Sequence, residues 1–463
     1  MFTYLALCSG FVVALAAIIA YARYRDAFHP AVFTAPLMLA GYCFWPLLLD
    51  RNGDLTSLLG EGSLNRVQAY YCAALVCMMI GMVWTRGRRL ASPKELSPWR
   101  SLAATVSVDR TRRRLVRLSV VLGSVAILSY LTSIFNVGGF EAAYSVYKGG
   151  GRAASGYVGE AYLLSYPAAL IYSLARQGRG FRAVDWCVVV VMLSPNLLQG
   201  TLGVRRGPLF ISLATLFVSW VVSRGRAPGL LRTGLAISVI LLSVIFLWTN
   251  RQSWFADEGG GPTRVGLTST LLPDTGQLSQ NDYVSGVGSA LITEYYNAFF
   301  WGKRWWVDLL IRPIPRQLWP TKYEDVGAYW KTGGNPTGFE EYEQVVALGF
   351  PLPAGHSIGV LSDLYSEWWW FALFFVFLLG RFLRWLWFKH RTIGQVWTVI
   401  FLGALGLCIY LPTQSFSAWY QRFLVMAVGT FVAWRWFIGR DIRQKNRSQE
   451  ELATRGKRAP GGV

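Results

Sequence analysis

Long apolar blocks separated by short polar gaps make up most of this chain. A bilayer core takes about 20 helical residues, and blocks of about that length fall near 3–22, 31–49, 67–85, 115–135, 157–175, 184–199, 207–223, 231–249, 366–388, 394–411 and 419–438. They predict an all-α polytopic membrane protein of about 11 transmembrane helices. Residues 1–249 carry eight spans with short loops, 250–365 a large loop, 366–438 three more spans and 439–463 a basic tail. Pro167, Pro195 and Gly406 fall inside blocks, which a bundle tolerates because neighbouring groups satisfy the freed backbone.

The gaps alternate in charge. Arg23 and Arg25 follow the first block, and Arg86 to Arg114 crowd the third gap. Arg176, Arg179 and Arg182 mark the fifth gap, Arg224, Arg226 and Arg232 the seventh, and Arg381, Arg384, Lys389 and Arg391 the ninth. Cytoplasmic loops retain Lys and Arg, so this pattern puts the N-terminus outside and the C-terminus in the cytoplasm. The net charge of +20 then belongs to a cytoplasmic rim held against anionic lipid, and no nucleic-acid partner is required. Hydrophobic residues reach 53% and charged ones only 15%. Trp330, Trp368, Trp369, Trp370, Trp385 and Trp387 sit at block edges, where amphipathic rings suit the headgroup layer. Cys8, Cys43, Cys72, Cys77, Cys187 and Cys408 all lie in apolar blocks, without a disulfide framework or metal spacing. The first block lacks a basic leader and a small-residue cleavage site, and reads as a retained span.

The loop from Asn250 to Tyr365 is more acidic than basic and far longer than a plain connector. Gly259 to Asn281 is rich in Gly, Ser and Thr, whereas Ala290 to Ile311 is aromatic and amphipathic, predicting a helix in the outer interface. Pro313, Pro315 and Pro320 then impose irregular backbone. The chain re-enters at GHSIGVLSDLYSEWWWF and runs into the ninth span.

No phosphate loop, zinc-protease helix or nucleophile elbow is present, and three histidines make a histidine metal site improbable. The outer face instead carries cations: Arg205 and Arg206 before the seventh span, Arg251 after the eighth, Arg312, Arg316 and Lys322 in the proline-rich segment, and Arg422 opening the eleventh. A guanidinium is a rigid, permanent fork for phosphate oxygens, and several converging on a dry pocket would bind a diphosphate. Each also has a plainer reading as a snorkelling side chain or the partner of a loop carboxylate.

The string IRPIPRQLWPTKY, with a Gly-rich stretch and GHSIGVLSDLYSEWWWFALFF after it, resembles the late periplasmic loop of bacterial O-antigen and exopolysaccharide repeat-unit polymerases of the Wzy type, relatives of the O-antigen ligases. LGVRRGPLF resembles their Arg-Gly entry into a middle span. The specific part is Pro315, Arg316, Trp319, Pro320 and Lys322; the sequence departs from the pattern where Trp368 to Trp370 follow Glu367 in place of glycine.

The resemblance implies a glycosyltransferase-C-like bundle in the bacterial inner membrane with its active site facing the periplasm. Its substrate would be an undecaprenyl-diphosphate-linked oligosaccharide, joined to a second lipid-linked unit without cofactor or metal, with membrane lipids and a chain-length regulator as candidate partners. The enzyme must orient an acceptor hydroxyl, remove its proton and neutralise the departing diphosphate. Arg205, Arg206, Arg251, Arg312, Arg316, Lys322 and Arg422 are the diphosphate candidates, and His356, Asp363 and Glu367 the candidates for the base. On a helix, Asp363 and Glu367 share a face at i and i+4, where either could instead pair with Arg316. Glu160 and Asp282 are further outer-face carboxylates with weaker claims. A ligase, or a transporter that moves the lipid-linked unit intact, are the alternatives; charge concentrated at one face and in one loop favours an enzyme.

Overall fold

The computed structural model describes residues 1–84, 109–144, 156–203, 205–225, 229–249, 281–314, 318–328, 338–352 and 358–437, without the side chains of 109–111, 156–159, 206, 230, 241 and 244–249. The described residues contain helices and no strand. Eight helices are long and apolar enough to cross a membrane. Seven are α1 (Phe2–Tyr24), α2 (Pro30–Leu49), α4 (Glu61–Val83), α5 (Asp109–Phe135, apolar from Arg112), α8 (Ala183–Thr201), α9 (Arg206–Arg224, apolar from Gly207) and α17 (Val396–Thr413). The eighth is the stretch Gly359–Thr392. Further bundle helices are α7 (Ser165–Ala175), which continues a 3-10 segment at Gly156–Leu164, α10 (Leu230–Thr249) and α18 (Phe416–Phe437). The chain is a multi-pass membrane protein.

Local chemistry sets where these helices bend. His29 caps α2, its Nδ1 accepting from the Ala31 N–H at 3.3 Å, and Pro30 occupies the first helical position, where a missing N–H costs nothing. Pro36 then removes a donor inside the helix, and a π-turn at Ala40–Phe44 follows. That turn presents Gly41 to Pro412 of α17 so closely that a Cβ on Gly41 would lie 2.6 Å from the proline Cβ. α4 crosses the helix at Ala372–Thr392 (α16) in the same manner, with Gly81 and Gly380 each against the other helix's backbone, as in membrane helix pairs built on small residues.

The bundle has two distinguishable ends. At one, Asp26 accepts from the Phe28 N–H and Trp387 Nε1 and pairs with Arg391 at 3.3 Å, while Arg384 reaches the Tyr24 hydroxyl and the Trp84 carbonyl. His29, fully buried, stacks on Tyr24 there, and buried His390 bonds Thr398. Both are packed inside this end. The opposite end carries the starts of α1, α4, α9 and α18 together with the helices of residues 281–352, and is called the loop end below.

The stretch Ala290–Ile311, expected to be one interfacial helix, is not one. Helix α11 (Asp282–Tyr295) is buried over most of its length, and α12 (Lys303–Trp306) continues as a π-turn over Val307–Ile311. Between them Asn297, Trp301 and Gly302 adopt left-handed backbone. The physical reason is polar: Tyr283 donates to Gln68 of α4 at 2.6 Å, and Ser289 and Thr293 meet Ser366, so α11 faces the bundle rather than lipid. Exposed rings remain at Tyr295, Trp301 and Trp306.

The re-entering segment and the ninth span are separate helices. The stretch Gly359–Thr392 breaks at Trp369, whose φ is 51°, into α15 (Gly359–Trp368) and α16. α15 is buried from Gly359 to Glu367. Its backbone is held by Tyr70, whose hydroxyl donates to the Leu361 carbonyl at 3.1 Å, and its side by Tyr71, 2.5 Å from the Ser362 hydroxyl. The short helices α3 (Asp54–Leu59), α6 (Phe140–Tyr144), α13 (Lys322–Asp325) and α14 (Glu341–Leu348) complete the fold.

Candidate functional site

Among the described residues, two charged assemblies at the loop end contain sequence-predicted site residues, and they differ in how completely their groups are satisfied. The first is buried. Arg304, 5% exposed, enters from α12 between Asp363 and Glu367 of α15. Its Nη2 meets Asp363 Oδ1 at 3.0 Å, its Nε donates to Glu367 Oε1, and its guanidinium carbon lies 4.2 Å from the centroid of the Phe300 ring. The other carboxylate oxygens are taken as well: Glu367 Oε2 accepts from the Gly302 N–H and Asp363 Oδ2 from the Phe416 N–H, each at 2.8 Å. Burial opposes the Arg304 charge, but the carboxylates of Glu367 and Asp363 outweigh it, and its pKa rises above the ordinary arginine value. All four oxygens are thus engaged, and the cluster ties the loop helix α12 to α15 and to the start of α18.

Helicity does put Asp363 and Glu367 on one face, and an arginine does bind both. The partner is Arg304, from the segment that reads as an interfacial helix; Arg316 lies outside the described residues, as do Arg251 and His356. The Arg206 backbone opens α9, with its side chain outside the description.

The second assembly is less complete. Arg312, after the π-turn of α12, pairs with Glu160 of the 3-10 segment. Lys322, 2% exposed, does not face this pair: its ammonium donates to the carbonyls of Ile311, Arg312 and Ile314, two of them at 3.1 Å. It fixes the backbone that presents Arg312. Nearby, Trp319 Nε1 and the Thr321 hydroxyl both donate to Asp325, holding its carboxyl below the usual carboxylate range.

Arg422 projects from the first turns of α18 and lies 4.6 Å over the Tyr410 ring. Gly207 of α9 packs against the same phenol, so that no Cβ fits there. The Tyr166 hydroxyl donates to the Pro208 carbonyl at 3.3 Å, joining α7 to this corner. Arg422, Glu160, Tyr410 and Arg205 all lie within electrostatic range of the Tyr162 hydroxyl. Among the described residues, Arg422 makes one hydrogen bond, to the Ala418 carbonyl of its own helix at 2.9 Å. A guanidinium carries five N–H donors, so most of them are uncommitted to the described residues.

No protein-family model, curated protein or solved structure matches this chain.

The sequence-derived cations therefore separate into groups. Arg205, Arg312 and Arg422 share one corner with the start of α9; Lys322 supports it through the backbone; Asp363 and Glu367 are locked with Arg304. Arg304, Tyr162, Tyr166 and Tyr410 were not singled out from sequence. The i, i+4 carboxylates of α15 were the available signal for Arg304, since two acids on a buried face require a cation.

Proposed function

We propose that this protein polymerises undecaprenyl-diphosphate-linked oligosaccharide repeat units by glycosyl transfer at the loop end, which faces the periplasm of a bacterium whose inner membrane the chain crosses eleven times. The observation that carries the reading is Arg422: a permanently charged side chain in the first turns of α18, over the Tyr410 ring and near Tyr162 and Tyr166, with one hydrogen bond among the described residues, to its own backbone. An ionisable group beside the spans of a membrane bundle is costly to leave unpaired, and this supports a functional reading. A diphosphate would complete its donor set, aided by Arg312 and by the positive end of α9 at Gly207.

In this reading the reaction needs little covalent help. The sugar already carries a good leaving group, and arginine forks at the tyrosine-lined corner neutralise the charge as it departs. Asp363 and Glu367 serve by rooting α12, which delivers Arg312. The resemblance of the proline-rich segment to repeat-unit polymerases supports the substrate class. Arg422→Ala is expected to leave membrane insertion and melting temperature unchanged while abolishing chain extension by the purified protein. Wild-type rates in that variant would remove the corner from the mechanism.

A further inference from the structure

We infer that Glu160 is the catalytic base, the carboxylate that takes the proton of the acceptor hydroxyl; this rests on the proposed glycosyl transfer. Glu160 divides its two oxygens unequally. Oε1 accepts from Arg312, whereas Oε2 is buried and has no hydrogen-bond partner among the described residues. An unpaired carboxylate oxygen away from water costs free energy comparable to a lost charged hydrogen bond, and a hydroxyl donor placed there would recover it. The side chain is 15% exposed, so the site is nearly dry yet reachable.

Its surroundings fit the task. Arg312 faces it from the turn after α12, and Arg422 from α18 lies in electrostatic range, with Tyr162 on its own segment and Tyr410 and Tyr166 beside Arg422. Arg205, opening α9, completes the charged groups facing this corner among the described residues. The carboxylate therefore stands next to the two cations that would hold the diphosphate, where an acceptor oxygen must approach the anomeric carbon. Asp363 and Glu367 are not so placed, since each of their oxygens is already bonded.

The step balances without a co-reactant. The acceptor O–H proton passes to Glu160 Oε2 as the oxygen lone pair forms the new bond to the anomeric carbon. The bond from that carbon to the diphosphate oxygen breaks, its electron pair leaves with the lipid diphosphate, and Arg422 and Arg312 hold the resulting charge.

Glu160→Gln tests this, because an amide oxygen can still accept from Arg312 while it cannot take a proton. Positioned acid–base groups contribute about 100-fold to 10,000-fold. The purified variant, given polyprenyl-diphosphate-linked repeat unit, is expected to lose about 100-fold or more in kcat. Its dissociation constant for the same lipid is expected to stay within about threefold, well under the roughly 1.4 kcal/mol that a tenfold change represents. The acidic limb of the wild-type pH–rate profile should vanish with the glutamine and return, at lower rate, in Glu160→Asp. A Glu160→Gln protein that extends chains within about threefold of a working wild type overturns the assignment of the base while leaving the polymerase reading standing. A wild type that extends nothing overturns both. Lost lipid binding in Glu160→Gln would make Glu160 a binding residue and also overturn the inference.

Discussion

Arg304 shows how much at the residue scale depends on a single pairing. Deleting one partner of a buried ion pair leaves uncompensated charge and costs about 3–5 kcal/mol. Arg304→Met is expected to lower the melting temperature in detergent steeply, because Asp363 and Glu367 are then buried without their cation. Adding Asp363→Asn and Glu367→Gln to that variant should recover part of the loss, and additive losses would contradict the coupling. The acid pair was legible: its spacing on a helix face and its need for a cation follow from the sequence. The cation was not, because Arg304 sits 63 residues before Glu367 among tryptophans that suggest a lipid interface. The tyrosines at Arg422 were equally hidden, since Tyr162, Tyr166 and Tyr410 read as ordinary span residues until packing brings them together.

Hydropathy located the long helices well at the element scale and failed where polar contacts override it. The blocks at 3–22, 31–49, 67–85 and 394–411 correspond to α1, α2, α4 and α17. The break at Trp369 lies within three residues of the start expected for the ninth span, and α15 on its near side is buried against Tyr70 and Tyr71. The α11–α12 region was misjudged, its aromatic composition masking serine, threonine and tyrosine contacts with α4 and α15. Glycine contacts between helices also require structure. A Cβ at Gly380 would meet the Met78 carbonyl, so Gly380→Ala must push α16 from α4. Overpacking of this kind costs about 1–3 kcal/mol. Gly62, with nothing within 4 Å, should accept alanine with no measurable change, and equal melting temperatures for the two variants would refute the close crossing.

At the scale of the whole molecule, the alternation of basic gaps predicts an orientation, and the corner of Arg422, Arg312 and Glu160 lies on the side opposite the cluster of Arg384 and Arg391. In a background lacking the six native cysteines, a cysteine at exposed Asn52 should react with an impermeant thiol reagent on intact cells. One at exposed Arg179 should react only after the membrane is opened. The reverse result would invert the bundle and place the corner in the cytoplasm.

On the proposed function, the corner joins lipid-linked units rather than moving them. Purified protein in liposomes, supplied with one polyprenyl-diphosphate-linked repeat unit, should convert it into a ladder whose masses step by one repeat, and Arg422→Ala should leave the single unit unchanged. Units that cross the bilayer at their original mass, with no ladder, would contradict the account.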